Sequence, residues 1–161
     1  MPTLSLDRTG RKILDRLQKD GRRSNLELAE RVNLSPSPVL RRVRALEEAE
    51  LERIKQYVAL LDPLKLGLGL LAYVTVKLEK KGRTPIEAFT RAVQAWPEVV
   101  ASYSMTGDMD YLLRVHVQDL QHFSRFMMDS LLKHPGVLDK TSSFALERLK
   151  ETTALPLSHL K

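Results

Sequence analysis

The chain has 161 residues, 43% hydrophobic and 29% charged, enough for one or two small domains with cores of their own. It contains no cysteine, which excludes disulfides, thiolate nucleophiles and Cys-based zinc sites. The formal net charge is +6, and residues 8–44 carry eleven Lys or Arg against four Asp or Glu, so the positive excess is concentrated in one segment suited to a polyanion.

No N-terminal apolar core of signal-peptide length is present. The longest apolar run, residues 64–76, is broken by Lys65, Gly67, Gly69 and Thr75 and is too short for a bilayer. A soluble, cytoplasmic protein with no membrane partner is expected.

A first helix is predicted from Asp7, as N-cap, to Lys19, with Leu6 near its start and Ile13, Leu14 and Leu17 facing inward. Asp20-Gly21 stops it. Ser24 with Glu27 has capping-box spacing and opens a second helix with an apolar stripe of Leu26, Leu28, Ala29 and Val32. Asn33 can close that helix in a left-handed conformation. Ser35 caps a third helix with Pro36 in its first turn, where a missing N–H costs nothing. Val39, Leu40, Val43 and Leu46 form its buried face, leaving Ser37, Arg41, Arg42 and Arg44 outward. A short helix, a turn and a basic second helix suit the DNA major groove.

Residues 54–61 alternate loosely and read as a strand leading away from the helices, broken by Asp62-Pro63. From Leu70, Ala72, Val74, Val76 and Leu78 alternate on one face of a strand. Thr84, Pro85 and Glu87 open a helix with Ile86, Phe89, Val93 and Trp96 on its apolar side, ended by Pro97. Residues 99–105 and 111–117 are strands joined by Thr106, Gly107, Asp108, Met109 and Asp110, which supply turn chemistry. Asp119 caps a helix carrying Leu120, Phe123, Met127 and Leu131, which stops at His134-Pro135-Gly136, and residues 137–149 are largely a last strand.

The order strand, helix, strand, strand, helix, strand is the split βαβ arrangement. Both helices then cover one sheet face, and Tyr73, Thr75, Tyr103, Leu112, Arg114, Ser143 and Ala145 fall on the other. A partly apolar bare face is usually covered, often by a second copy of the chain.

A helix-turn-helix followed by βαββαβ resembles the leucine-responsive regulatory protein/asparagine-synthase regulator (Lrp/AsnC) family of transcription factors. The likeness covers almost the whole chain. It is carried by Leu6-Asp7, Ile13-Leu14 and Leu17 in helix one and by Asp20-Gly21-Arg22 before helix two. Leu34-Ser35-Pro36-Ser37-Pro38 and Arg42-Val43-Arg44-Ala45-Leu46-Glu47 look like the recognition helix. Tyr57-Val58-Ala59-Leu60-Leu61-Asp62-Pro63 resembles the linker strand, Thr106-Gly107-Asp108-Met109-Asp110-Tyr111-Leu112-Leu113 the effector loop, and Leu132-Lys133-His134-Pro135-Gly136-Val137 the helix-to-strand junction. Glu50 stands where the family usually has Gly, and residues 51–56 make a longer spacing to Tyr57, which leaves room for the recognition helix to run on. Gly10, where many relatives carry Asp, loosens helix one slightly.

The resemblance implies an α+β chain. An N-terminal winged helix-turn-helix (three helices) over residues 1–52 and a linker over 53–69 precede a C-terminal ferredoxin-like βαββαβ sandwich over 70–161 for effector binding and oligomerisation. Double-stranded DNA is the expected partner. Ser35, Ser37 and Pro38 lie at the recognition-helix N-terminus, Arg41, Arg42 and Arg44 follow, and Arg22, Arg23 and Ser24 clamp the backbone. Any one arginine could instead pair with a nearby glutamate. The family implies an amino acid effector, leucine or methionine in type, held between dimers by Thr106, Gly107, Asp108 and Asp110 with Phe144 and Ala145 along its side chain. A plain hairpin turn is the alternative reading of those residues. A homodimer assembling to an octamer is likewise implied.

No cofactor, catalytic group or metal site is expected, because the four histidines, His116, His122, His134 and His159, are scattered. An effector-blind architectural protein that wraps DNA is the alternative function, and a small enzyme on the same fold is the third.

Overall fold

The computed structural model describes residues 6–48, 53–79 and 83–160. Packing divides the chain into two compact units, residues 1–59 with 150–161, and residues 60–149. The expected division ran the second domain to the C-terminus. The final segment instead returns to the helical unit, because Leu160 packs on that unit's core.

The helical unit comprises α1 (Arg8–Leu17), α2 (Asn25–Val32) and α3 (Pro36–Glu47). Asp7 caps α1 by accepting the Gly10 N–H at 2.8 Å. Gly10 is buried, and a Cβ there would come within 2.8 Å of the Leu6 side chain, so the missing side chain lets Leu6 lie against the helix. Ser24 and Glu27 form the predicted capping box, and Asn33 closes α2 at φ 55°, ψ 50°. Ser35 holds the N-cap position of α3 without a side-chain cap bond, Pro36 being already preset for the first turn.

Leu6, Ile13, Leu17, Leu28, Ala29, Val32, Val39, Val43 and Leu46 make one core. Each large side chain there contributes roughly 1.5–3 kcal/mol by leaving water. Two expected core residues differ. Leu26 is 60% exposed, because two residues of helix turn it away from the face that Leu28 and Ala29 share. Leu40 is only half-buried beside fully buried Val39.

The recognition helix does not run on. It ends at Glu47, with Glu48 extended at ψ 154°, and residues 49–52 lie outside the described part of the chain, as does the wing expected there. The N–H groups of Arg53 and Ile54 both donate to the Leu46 carbonyl at 3.0 Å, turning the chain back over the core. Residues 54–61 form no strand, so the expected linker strand has no ladder partner among the described residues. Tyr57 anchors this stretch by donating its hydroxyl to Glu47 Oε1 at 2.8 Å. Burial, and then the Glu47 carboxylate, push the Tyr57 hydroxyl up to about 12. The neutral phenol therefore supports the fold fully below the ordinary tyrosine value near pH 10. That support is lost as the pH climbs towards about 12.

The second unit contains β1 (Leu70–Leu78), α4 (Arg83–Ala95), β2 (Val99–Ser104), β3 (Tyr111–Val117), α5 (Leu120–Phe126) continuing as a π-helical turn (Met127–Leu131), and β4 (Val137–Phe144). The strands form one antiparallel sheet in the order β2-β3-β1-β4, as the split βαβ pattern requires. Ala72, Val74, Val76 and Leu78 of β1 and Leu113, Val115 and Val117 of β3 point to one face. Phe89, Val93, Phe123, Phe126, Met127 and Leu131 cover it. Met127 and Leu131 face inward as expected, but Leu120, at the first position of α5, is 63% exposed, and Phe126 is buried in addition. Thr84, expected to cap α4 just ahead of Pro85, lies inside the helix instead, because the helix already includes Arg83.

β4 stops at Phe144 rather than continuing to residue 149: its register with β1 ends at Ala72 opposite Phe144, one further bond joins the Ala145 N–H to the Leu71 carbonyl, and β1 itself begins at Leu70. On the open sheet face Tyr103 lies opposite Leu112, Leu112 opposite Thr75, and Tyr73 between Arg114 and Ser143. Tyr73 and Tyr103 are exposed there.

Candidate nucleic-acid interface and ligand turn

α3 buries Val39, Val43 and Leu46 and turns Ser37, Arg41 and Arg44 to the outside, with Ser35 at its exposed N-terminus and Pro38 half-buried. Neither Arg41 nor Arg44 has a side-chain partner among the described residues. Arg42 differs. Its Nη1 lies 2.7 Å from Asp7 Oδ2, tying the middle of α3 to the cap of α1. Sequence reasoning missed this pair, because nothing local links positions so far apart in the chain. The Gly10 N–H chiefly holds the Asp7 carboxyl below its usual range; burial opposes it, and the Arg42 hydrogen bond and charge add to the lowering.

This pair carries a prediction. Asp7→Ala removes the α1 cap at a cost of about 1 kcal/mol, read as a lower melting temperature of the helical unit. Asp7 supports the fold above its ordinary value near pH 4 and loses that support as the pH falls through its lowered value. Wild type and variant should therefore converge in stability in strong acid.

At the start of α2, Arg22 is exposed without a side-chain partner among the described residues, whereas Arg23 lies 3.4 Å from Asp20. The Ser24 hydroxyl is engaged by Glu27, donating to Oε2 at 2.8 Å. Among the described residues, Arg22, Arg31, Arg41 and Arg44 thus carry no ion pair around the two helices.

The turn between β2 and β3 is exposed over Thr106, Gly107 and Asp108. Gly107 has φ +110°, a conformation L side chains rarely adopt, with nothing within 4 Å of where a Cβ would stand. The Thr106 and Asp108 side chains have no partner among the described residues. Asp110 has a different position. Its Oδ2 accepts the Leu78 N–H at 2.8 Å, its own N–H donates to the Val76 carbonyl at 2.9 Å, and its carbonyl accepts from Met105 at 2.8 Å. It fastens the turn to the end of β1.

Phe144 and Ala145 are not brought to this turn. Tyr111, just after the turn, lies opposite Val76, whereas Phe144 lies opposite Ala72 and the Ala145 N–H reaches the Leu71 carbonyl. Leu78 and Leu71–Ala72 mark opposite ends of β1, about 20 Å apart at strand rise. One chain by itself does not place Phe144 and Ala145 beside Thr106–Asp108. Phe144 packs edge-on against Phe123, with ring centroids 5.0 Å apart.

Among the described residues, no group of three or more His, Asp or Glu is placed to hold a metal ion. No helix among them is long and apolar enough to cross a membrane.

Comparison with known proteins agrees with this arrangement. Residues 6–51 match a winged helix-turn-helix DNA-binding family, and residues 71–155 match the Lrp/AsnC ligand binding domain. The leucine-responsive regulatory protein of Escherichia coli (strain K12) is 41% identical over 154 residues, covering 96% of this chain and 93% of that protein. Among solved structures, a Neisseria meningitidis transcriptional regulator crystallised as its L-Met complex superposes with a TM-score of 0.93 at 47% identity, over 98% of this chain and 100% of that one. An AsnC family transcriptional regulator from Agrobacterium tumefaciens gives 0.89 at 38% identity, over 96% and 99%. With an arginine-bearing helix-turn-helix joined to a four-stranded α+β ligand-binding unit, and with both halves matched in order, the chain belongs to the Lrp/AsnC family of DNA-binding, amino-acid-binding transcription regulators.

Proposed function

We propose that the protein is a sequence-specific regulator whose hold on DNA responds to leucine or methionine, methionine being favoured by the L-Met complex of the Neisseria meningitidis regulator. The observation that carries the DNA half is the pair of uncompensated guanidinium groups, Arg41 and Arg44, on the side of α3 turned away from its core. Arg41 reads a base edge and Arg44 meets phosphate. Ser35, Ser37 and Pro38 lie where free amides favour phosphate. Arg22, with Arg23 and Ser24, steadies the backbone, and Arg42 acts chiefly by fixing α3 on α1 through Asp7.

In the effector turn, Asp108 takes the ammonium group while Thr106 and the Gly107 backbone take the carboxylate. Asp110 holds the turn in place. Phe144 and Ala145 line the effector's side chain from a different copy of the chain, which supports a site completed only by assembly. The open sheet face with Tyr73 and Tyr103 pairs two copies, and such dimers gather into an octamer. The protein acts by binding alone, without catalysis, in the cytoplasm.

Thermal unfolding with each of the common amino acids tests the effector half. Methionine or leucine at one hundred times its Kd should stabilise by about 2.7 kcal/mol. Gly107→Val, which cannot hold φ +110° without strain, should abolish the response. A flat screen across all amino acids would overturn this half of the proposal and leave the DNA half standing.

A further inference from the structure

The C-terminal segment runs antiparallel along the outside of α1. Gln18, at the end of that helix, uses both ends of its amide on one residue of the segment. Its Nε2 donates to the Leu155 carbonyl at 3.1 Å, and its Oε1 accepts the Leu155 N–H at 2.9 Å. Two helical turns earlier, Arg11 Nη1 donates to the Leu160 carbonyl at 2.6 Å. The Leu160 side chain packs against the core of the helical unit, and Leu157 between them is half-buried.

Leu157 lines two grooves. One, of about 230 Å³, lies between α1 and residues 53–57, with Thr153 and Leu155 also in its wall. The other, of about 390 Å³, is bordered by Arg11, Arg16 and Arg31. The segment therefore docks beside the stretch by which the chain leaves the helical unit. None of these hydrogen bonds or groove walls involves α3, so docking leaves the recognition face free.

We propose that residues 150–160 form a strap on α1, a second covalent connection to the DNA-binding head that fixes where the recognition helix is carried. The residue 59–60 connection alone would leave the head on a single covalent link. A second connection, seated by an amide pair, a guanidinium–carbonyl bond and a half-buried leucine, closes the chain between them into a loop. Heads held in this way keep their spacing for two half-sites. Slack heads lose effective concentration at the second site once the first is bound. This consequence rests on the DNA-binding reading of α3, whereas the docking does not.

The test uses the full chain and two variants. Gln18→Ala with Leu160→Asp unseats the strap. Ten Gly/Ser residues inserted after Leu149 leave the strap seated and make its connection slack. Amide exchange should show the Leu155 N–H protected in the wild type and in the insertion variant, and unprotected in the double substitution. Both variants should bind a duplex with two half-sites one helical turn apart about tenfold more weakly than wild type, with single half-site binding unchanged.

A Leu155 amide that exchanges at the open-chain rate in the wild type would overturn the docking itself, whatever the DNA result. An insertion variant with wild-type two-site affinity would overturn the tether. A smaller assembly of the insertion variant in sedimentation would also overturn it, since the segment would then be joining copies.

Discussion

Arg41→Ala should weaken binding to a duplex carrying the target site by about 1–3 kcal/mol, roughly fivefold to a hundredfold, because a guanidinium reading guanine bidentately is lost. The Arg41 side chain is exposed on α3 and has no partner among the described residues, so its removal breaks nothing inside the head. Thermal unfolding of the variant should match wild type while its gel-shift titration moves. Arg44→Ala should behave differently. A phosphate contact is blind to sequence, so the loss should be similar on target and random duplexes, and the salt dependence should flatten by about 0.9 in log–log slope per contact removed. Arg42→Ala, which also breaks the Asp7 pair, should lower stability and affinity together. If Arg41→Ala binds its target as wild type does, the base-reading assignment fails.

Phe89→Ala should cost the second unit about 3–5 kcal/mol, the largest stability loss expected from one substitution in this chain. Phe89 is fully buried on α4. Its ring stands edge-on to Trp96 at 6.0 Å and to His134 at 5.5 Å, and tilts over Tyr111 at 4.9 Å. Removing it opens a cavity where α4, the start of β3 and the residues leading into β4 meet. Trp96 is the sole tryptophan, so its fluorescence reports unfolding of this unit and not of the head. The Trp96 transition should fall by many degrees while the helical unit melts as before. Tyr111 follows the effector turn directly, so the amino acid response should weaken with it. An unchanged Trp96 transition would mean that the ring contributes no packing there.

Much of this molecule is written in local sequence. The capping box of Ser24 and Glu27, the left-handed Asn33, the Asp7 cap and the β1 and β3 alternations involve residues a few positions apart, and all appear as predicted. Where local pattern failed, a distant partner decided. Residues 54–61 have strand composition but no neighbouring strand to bond among the described residues. Residues 145–149 read as more of β4, but the register with β1 ends at Phe144 and only the Ala145 N–H bonds further, to Leu71. Leu120 has the spacing of a core residue, yet it stands exposed at the first position of α5 while Phe126 is buried.

The site residues divide in the same way. Arg41, Arg44, Thr106, Gly107 and Asp108 stand as open as their sequence pattern suggests. The structural work of Arg42 and Asp110 was not legible, since each answers to a group more than thirty residues away, Asp7 and the Leu78 N–H.

Sequence alone determined the element order, the basic face of α3 and the family, because caps, periodicity and charge act within a turn or two of the chain. Tertiary structure alone decided which charges are cancelled, that Phe144 and Ala145 lie at the far end of the sheet from the effector turn, and that the C-terminal segment returns to α1. Those outcomes depend on which distant groups meet once the cores form, and no local pattern encodes that.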